Sequence, residues 1–91
     1  MNTLARNDDP HPPKNAGDDA VWGALNDPSR RHMLDLLRQQ SMTTGDLCRE
    51  FDFTRFAVMK HLKVLESAGL IIVERRGRER MDHLNPLPFR A

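Results

Sequence analysis

A chain of 91 residues with 14 Lys/Arg against 13 Asp/Glu suits one small domain, and a net charge of +1 excludes no class of partner by itself. The single cysteine, Cys48, excludes an internal disulfide and predicts a reducing, cytoplasmic setting. The N-terminus lacks a basic start with an apolar core, and no apolar run exceeds Leu70 to Val73, so neither a signal peptide nor a membrane span is predicted.

Divided along the chain, the charge becomes informative. Residues 1–52 carry six Lys/Arg against nine Asp/Glu, giving −3; residues 53–80 carry seven against three, giving +4; the last eleven balance one against one. A cationic surface confined to one stretch is the footprint expected of a nucleic-acid binder.

Residues 1–17 hold Asp8, Asp9, His11 and the pair Pro12-Pro13 without apolar periodicity, and read as a disordered tail preceding a domain over 18–91. A short helix is predicted from Asp18 or Asp19, its acidic start facing the positive end of the helix dipole, with Val21, Trp22 and Leu25 on its apolar side. Asp27-Pro28 then supplies an N-cap and first-turn proline for a second helix. Met33, Leu34, Leu36 and Leu37 form its buried side, leaving Arg30, Arg31 and Arg38 to solvent; Gln39-Gln40-Ser41 ends it.

Thr43, with Asp46 three residues on, is a variant capping box for a third helix whose inner side is Leu47, Cys48 and Phe51. Asp52 and Phe53 are left for a tight turn. Thr54 caps a fourth helix over 54–68, in which Val58, Leu62, Leu65 and Ala68 make an inward stripe. Its outward face holds Arg55, Phe56, Met59, Lys60 and Lys63, cationic with two large exposed apolar side chains. Gly69 takes the left-handed position that stops the helix. On the helices alone, an antiparallel pair in a small bundle is also admissible.

The next stretch decides against the bundle. Leu70-Ile71-Ile72-Val73 is β-branched, Glu74-Arg75-Arg76 extends it, Gly77 supplies a turn, and Arg78 to Leu84 return, giving a hairpin over 70–84. Arg75, Arg76, Arg78 and Arg80 crowd its tip, where guanidiniums repel one another but suit phosphates or a minor groove. Asn85-Pro86 breaks the second strand, and Leu87 and Phe89 follow without an evident partner. Two motif helices followed by a basic hairpin outline a mostly α fold with a small β-hairpin, the winged helix-turn-helix, with double-stranded DNA as its partner.

Other function classes fit less well. Asp46, Glu50, His61 and Ser67 pair no nucleophile with a base at recognisable spacing, and no glycine-rich loop follows a strand, so no enzyme is predicted. His32, His61 and His83 with one cysteine do not form a ligand set, so neither metal nor cofactor is expected. The alternative is a winged helix serving as a protein–protein interaction module, with Phe56 and Met59 as apolar anchors. Four cations at one hairpin tip favour DNA, where Phe56 or Met59 would meet thymine methyls.

The residues Leu-Asn-Asp-Pro-Ser-Arg from Leu25, Phe-Thr-Arg-Phe-Ala-Val-Met-Lys-His-Leu-Lys-Val-Leu-Glu-Ser-Ala-Gly-Leu from Phe53, and Arg-Arg-Gly-Arg-Glu-Arg from Arg75 resemble the ArsR-type winged-helix transcriptional regulators. The resemblance runs from Leu25 to Asn85. It implies a homodimer on a palindromic operator, usually a repressor, released by an effector that the sequence does not identify. It also implies that Arg55, Phe56, Met59 and Lys60 face the major groove and that Arg76, Gly77, Arg78 and Arg80 form the wing. On this reading Thr54 opens the reading helix, Arg55 and Lys60 read or position bases, Lys63 contacts backbone, and the wing arginines, Arg75 among them, anchor the duplex. Metal-sensing relatives carry a thiolate pair where this chain has Thr43 and Gly45, so the branch implied is the one without cysteine sensing. The family's further pairing helix after the hairpin has no counterpart before Ala91. Either the sequence is a piece of a longer one or dimerisation rests on Val21, Trp22 and Leu25.

Overall fold

The structure, a computed structural model, describes residues 16–86, with side chains from Asp19 onward. His11, the Pro12-Pro13 pair, Leu87 and Phe89 lie outside the described residues, as does most of the stretch read as a tail. Helix α1 spans Ala16–Leu25. It starts before the expected Asp18 or Asp19, so Ala16 and Gly17 belong to the helix and not to the expected tail, and Asp19 lies near its amino end, where a carboxylate favours the dipole.

Helix α2, Pro28–Gln39, is built as its N-terminal residues dictate. Asp27 is extended at φ −130°, its side chain accepts from the Arg30 amide at 3.0 Å, and Pro28 occupies the first turn, where a missing amide costs nothing. That amide bond, the largest influence on it, holds the Asp27 carboxyl below its usual range. Met33, Leu34 and Leu37 are buried and Leu36 partly so.

One expectation about α2 fails. Arg30 does not face solvent: its Nε donates to the Ala24 carbonyl at 2.8 Å, one Nη to the Gly23 carbonyl at 3.2 Å, and the other lies 3.2 Å from His61 Nδ1. Arg31, though exposed, donates to the Leu25 carbonyl at 2.7 Å. The last turn of a helix has carbonyls without intrahelical partners, and α1 ends so close to α2 that these two arginines supply the donors.

Strand β1, Met42–Thr43, was not legible as a strand; it pairs antiparallel with Asp82 and Met81 of the hairpin. Helix α3, Thr44–Cys48, starts immediately after it, and the Thr43 hydroxyl accepts from the Asp46 amide at 3.0 Å as the capping pattern required. The Asp46 carboxylate accepts from Arg49 at 2.5 Å. Leu47 is buried, whereas Cys48 and Phe51 are only half-buried. Phe51 lies beyond α3, its ring edge-on to His32 at 5.1 Å and stacked on Phe53 at 5.2 Å, so aromatic contacts hold the motif's turn against α2.

Helix α4, Arg55–Ser67, is capped by Thr54, whose hydroxyl accepts from the Ala57 amide at 3.1 Å. Val58, Leu62 and Leu65 point inward. At the far end Gly69 adopts φ +76°; its amide bonds the Glu66 carbonyl and that of Leu70 bonds Leu65, both at 2.9 Å, the two crossed bonds of a Schellman stop. Leu70 is thereby turned into the core.

Strands β2, Ile71–Arg76, and β3, Glu79–Leu84, complete a three-stranded antiparallel sheet of order β1-β3-β2. Asn85 ties the hairpin base to the end of α4, its amide bonding the Leu70 carbonyl at 3.0 Å and its side chain the Gly69 carbonyl at 2.8 Å. Ala24, Met33, Leu34, Leu37, Leu47, Val58, Leu62, Leu65, Leu70 and Ile71 meet in one core, so every helix and the hairpin contribute to it. Each fully buried large side chain there contributes about 2 kcal/mol. This is the winged helix-turn-helix: α3 and α4 form the motif and β2–β3 the wing.

Candidate nucleic-acid interface

The cap at Thr54 fixes where α4 begins and therefore which side chains its first turns present. Arg55 and Phe56 are exposed, Phe56 to 72%, and Lys60 and Lys63 continue the outward face. Lys60 Nζ stands 5.6 Å from the centroid of the Phe56 ring, a cation–π contact that keeps ring and ammonium together at the surface. Met59 departs from expectation. It is half-buried and packs against the core, and the hairpin's Arg80 reaches over it, with Nη1 3.9 Å from its sulfur.

The hairpin register explains where its arginines go. Arg76 pairs with Glu79 across a two-residue loop of Gly77 and Arg78; Gly77 has φ +63° while Arg78 does not enter the left-handed region, the pattern of a type II′ turn. Alternation then puts Ile71, Val73, Arg75, Arg80, Asp82 and Leu84 on the face toward the helices, and Ile72, Glu74, Arg76, Glu79, Met81 and His83 on the other. The four arginines all lie in the loop or the two pairs beside it, as expected from sequence, but they are divided between faces. Arg78 occupies the loop, and Arg75 and Arg80 pair across the strands on the inner face. Arg76 lies on the outer face and donates to both Glu74 oxygens at 3.1 and 3.2 Å.

That outer face carries a chain of contacts. Arg76 and then His83, whose Nε2 is 2.8 Å from Glu74 Oε1, hold the Glu74 carboxyl below its usual range, and the Glu74 carboxylate in turn raises the Arg76 guanidinium. His83 Nδ1 in turn lies 2.6 Å from the Ser41 hydroxyl. The three described histidines are thus in separate places: His32 on Phe51, His61 against Arg30 and His83 on the wing.

Of the expected DNA-contacting cations, Arg55, Lys63, Arg75 and Arg78 have no hydrogen bond or ion pair among the described residues, and Lys60 has only the Phe56 ring. One groove, lined by Phe56, Met59, Lys60, Lys63 and Glu66 of α4 and by Arg80 of the hairpin, brings part of the expected set together; Arg55, Arg75, Arg76 and Arg78 do not line it. Trp22, expected at a subunit contact, is 65% exposed on α1, whereas Val21 and Leu25 pack partly on the core and Ala24 is the buried residue of that helix.

Asp82 is the residue that the sequence reading passed over. It is fully buried on the inner face of β3, one carboxylate oxygen accepting from the Thr44 hydroxyl at 2.7 Å. Burial lifts its carboxyl above the usual range, against the opposing influence of Thr44 and Arg80. The available signal was the alternation itself, since Arg80 and Asp82 stand where an inward-facing strand would ordinarily be apolar.

A family model described as bacterial regulatory protein, arsR family, matches residues 27–73. Transcriptional repressor SdpR of Bacillus subtilis (strain 168) is 38% identical over 58 residues; the match spans 64% of this chain and 64% of SdpR, less than two thirds of that repressor's length. HTH-type transcriptional regulator Rv2034 of Mycobacterium tuberculosis (strain ATCC 25618 / H37Rv) is 37% identical over 73 residues, covering 80% of this chain and 68% of Rv2034. Among solved structures, an ArsR family transcriptional regulator, RHA00566, superposes with a TM-score of 0.76 at 33% identity, covering 80% of this chain and 75% of that one.

Proposed function

The chain belongs to the ArsR family of bacterial regulatory proteins, and from that premise we propose that it is a sequence-specific DNA-binding repressor that works in the cytoplasm as a homodimer on a palindromic operator. Helix α4 enters the major groove; Arg55 and Lys60 read or position bases, Phe56 meets thymine methyls, and Lys63 binds backbone. The wing residues Arg75, Gly77, Arg78 and Arg80 track the phosphates or the minor groove, and Trp22 with Val21 and Leu25 contributes to subunit pairing. Repression is favoured because SdpR, to which the chain is similar, is a transcriptional repressor.

The observation that carries this reading is the set of cations without a side-chain partner among the described residues, Arg55, Lys63, Arg75 and Arg78, which spans α4 and the wing. A protein-docking surface built on Phe56 and Met59 fits less well, since Met59 is half-buried against the core and only Phe56 stands free. Selection of bound sequences from a random duplex pool tests the proposal: a palindromic consensus is expected. Absence of enrichment at low salt would overturn it and favour the docking module.

A further inference from the structure

Two buried polar atoms among the described residues lack a hydrogen-bond partner, and they belong to neighbouring inward positions of one strand: Arg80 Nε and Asp82 Oδ1. One is a donor and the other an acceptor. Residues two apart on a strand share a face about 6.6 Å apart, well within the reach of an arginine side chain. Asp82 shares that face with Ile71, Val73 and Leu84, so burial alone asks for an apolar residue, and an ionised carboxylate is a costly thing to keep there unless it acts on a charge. Its other oxygen is held by the Thr44 hydroxyl, so the carboxylate is fixed against the first residue of α3. Arg80 meanwhile lies between strand and helix, one Nη on the Met59 sulfur, lining the groove with Phe56, Lys60, Lys63 and Glu66.

We propose that Asp82 is the positioning residue for Arg80: the two atoms are not bonded to each other in the free chain, and when a duplex seats against the groove the free oxygen takes the Arg80 Nε–H and fixes the guanidinium with its Nη edge along the groove between α4 and the wing, directed at a phosphate. The inference rests on the DNA-binding reading. A guanidinium has five donors in a fixed plane, so engaging Nε from behind leaves the Nη pair to grip an anion in front. Asp82 also faces charges other than Arg80, namely Glu66 on α4 and His83 on its own strand, and Glu66 lines the same groove. The carboxylate thereby links the two DNA-facing parts of the fold, since Thr44 belongs to the motif and Arg80 to the wing.

The sign of one substitution separates this role from plain electrostatics. Removing a negative charge beside a DNA surface ordinarily tightens binding. Asp82→Asn should instead weaken it, because the charge facing the guanidinium is lost and the amide has one acceptor oxygen, not two, to share between Thr44 and Arg80. The experiment measures anisotropy of a fluorescein-labelled duplex, taken from the random-pool selection, against salt for the parent chain, Asp82→Asn, Arg80→Ala, the double variant and Arg80→Lys. Asp82→Asn and Arg80→Ala should each bind on the order of tenfold more weakly, with a log–log salt slope smaller by about one, and the double variant should be no worse than Arg80→Ala. Arg80→Lys keeps the charge but has no Nε–H at that place on the chain, so it should fall with Arg80→Ala. Retained binding in this arm would overturn the role even if Asp82→Asn does not fold. Asp82→Asn binding as well as or better than the parent, losses that multiply in the double variant, or full activity of Arg80→Lys would each overturn the positioning role while leaving the DNA reading intact. A parent chain that binds no duplex would overturn both.

Discussion

The two halves of this molecule use arginine in opposite ways. Before Thr54, each described arginine ends on an acceptor of the protein itself: Arg30 and Arg31 on the carbonyls of Gly23, Ala24 and Leu25, Arg38 on Asp35, and Arg49 on Asp46. After Thr54, among the described residues, only Arg76 has a carboxylate, and the side chains of Arg55, Arg75 and Arg78 have no protein acceptor. A cation whose donors are used internally holds elements together. One whose donors are unused, at an exposed position near others like it, adds repulsion to the folded state and is best explained by an anion that comes from outside.

The largest effect should come from breaking the first kind. Arg30→Ala removes three contacts that join α1, α2 and α4, and charge-assisted bonds to carbonyls carry more than ordinary ones, so about 3 kcal/mol of unfolding free energy should be lost. For a domain of this size that lowers the thermal midpoint by roughly 15 °C, measurable by circular dichroism. Duplex affinity of the folded protein, measured well below the transition, should change little. A stable Arg30→Ala protein that no longer binds DNA would break the partition at its strongest point.

Arg55→Ala tests the second kind where sequence choice is made. In the first turn of α4 a guanidinium can approach a guanine edge with two parallel bonds, so the loss on the preferred duplex should be about 2 kcal/mol, with relaxed preference at that base and a smaller loss on scrambled duplex. The melting temperature should not fall, because Arg55 has no protein partner to lose. Competition titrations against single-base variants of the selected site check this. Equal losses on all sequences would reassign Arg55 to backbone contact.

The partition also marks how far the sequence could be read. Local chemistry was legible: Asp27-Pro28, Thr43, Thr54 and Gly69 cap or stop helices within single turns, and the hairpin with Gly77 in its loop followed from spacing. What failed was whatever depended on a distant partner. Arg30-Arg31 and Arg75-Arg76 look alike in one dimension, but the first pair meets helix-end carbonyls folded back beside it. Met42–Thr43 is too short to announce a strand and exists because β3 offers an edge. Met59 fits the outward face of α4 until Arg80 of the hairpin reaches over it, and the Asp82 carboxylate is held by Thr44, 38 residues away.

A smaller effect is expected at the wing. Arg78→Ala removes an unpaired loop cation whose proposed partner is the phosphate backbone, so binding should weaken by about 1 kcal/mol at low salt for every sequence alike, and the log–log salt slope should shrink by about one. Because Gly77, not Arg78, holds the positive φ, the turn should survive the change. Salt titrations on selected and scrambled duplexes compare the two slopes; a loss confined to the selected site would give the wing a base-reading role instead.

The smallest effect sharpens the comparison from within the paired half, because being paired and being important to folding are different properties. Arg38 and Asp35 meet at 2.6 Å one turn apart on α2, yet their side chains are 68% and 55% exposed. In water-like dielectric the attraction is screened, and ordering two long side chains offsets much of what remains, so such a pair stabilises by about 0.3 kcal/mol. Arg38→Ala should therefore shift the unfolding midpoint only slightly, and less still at high salt, where the pair is already weakened. Removing a cation also lowers the positive potential of the whole molecule, so a slight loss of duplex affinity at the lowest salt is expected from any arginine. The discriminating quantity is the salt slope, which counts phosphates neutralised and should be unchanged for Arg38→Ala but reduced for Arg78→Ala. If the two variants reduce it equally, an internal partner does not predict which cations face DNA, and the division drawn between the halves fails.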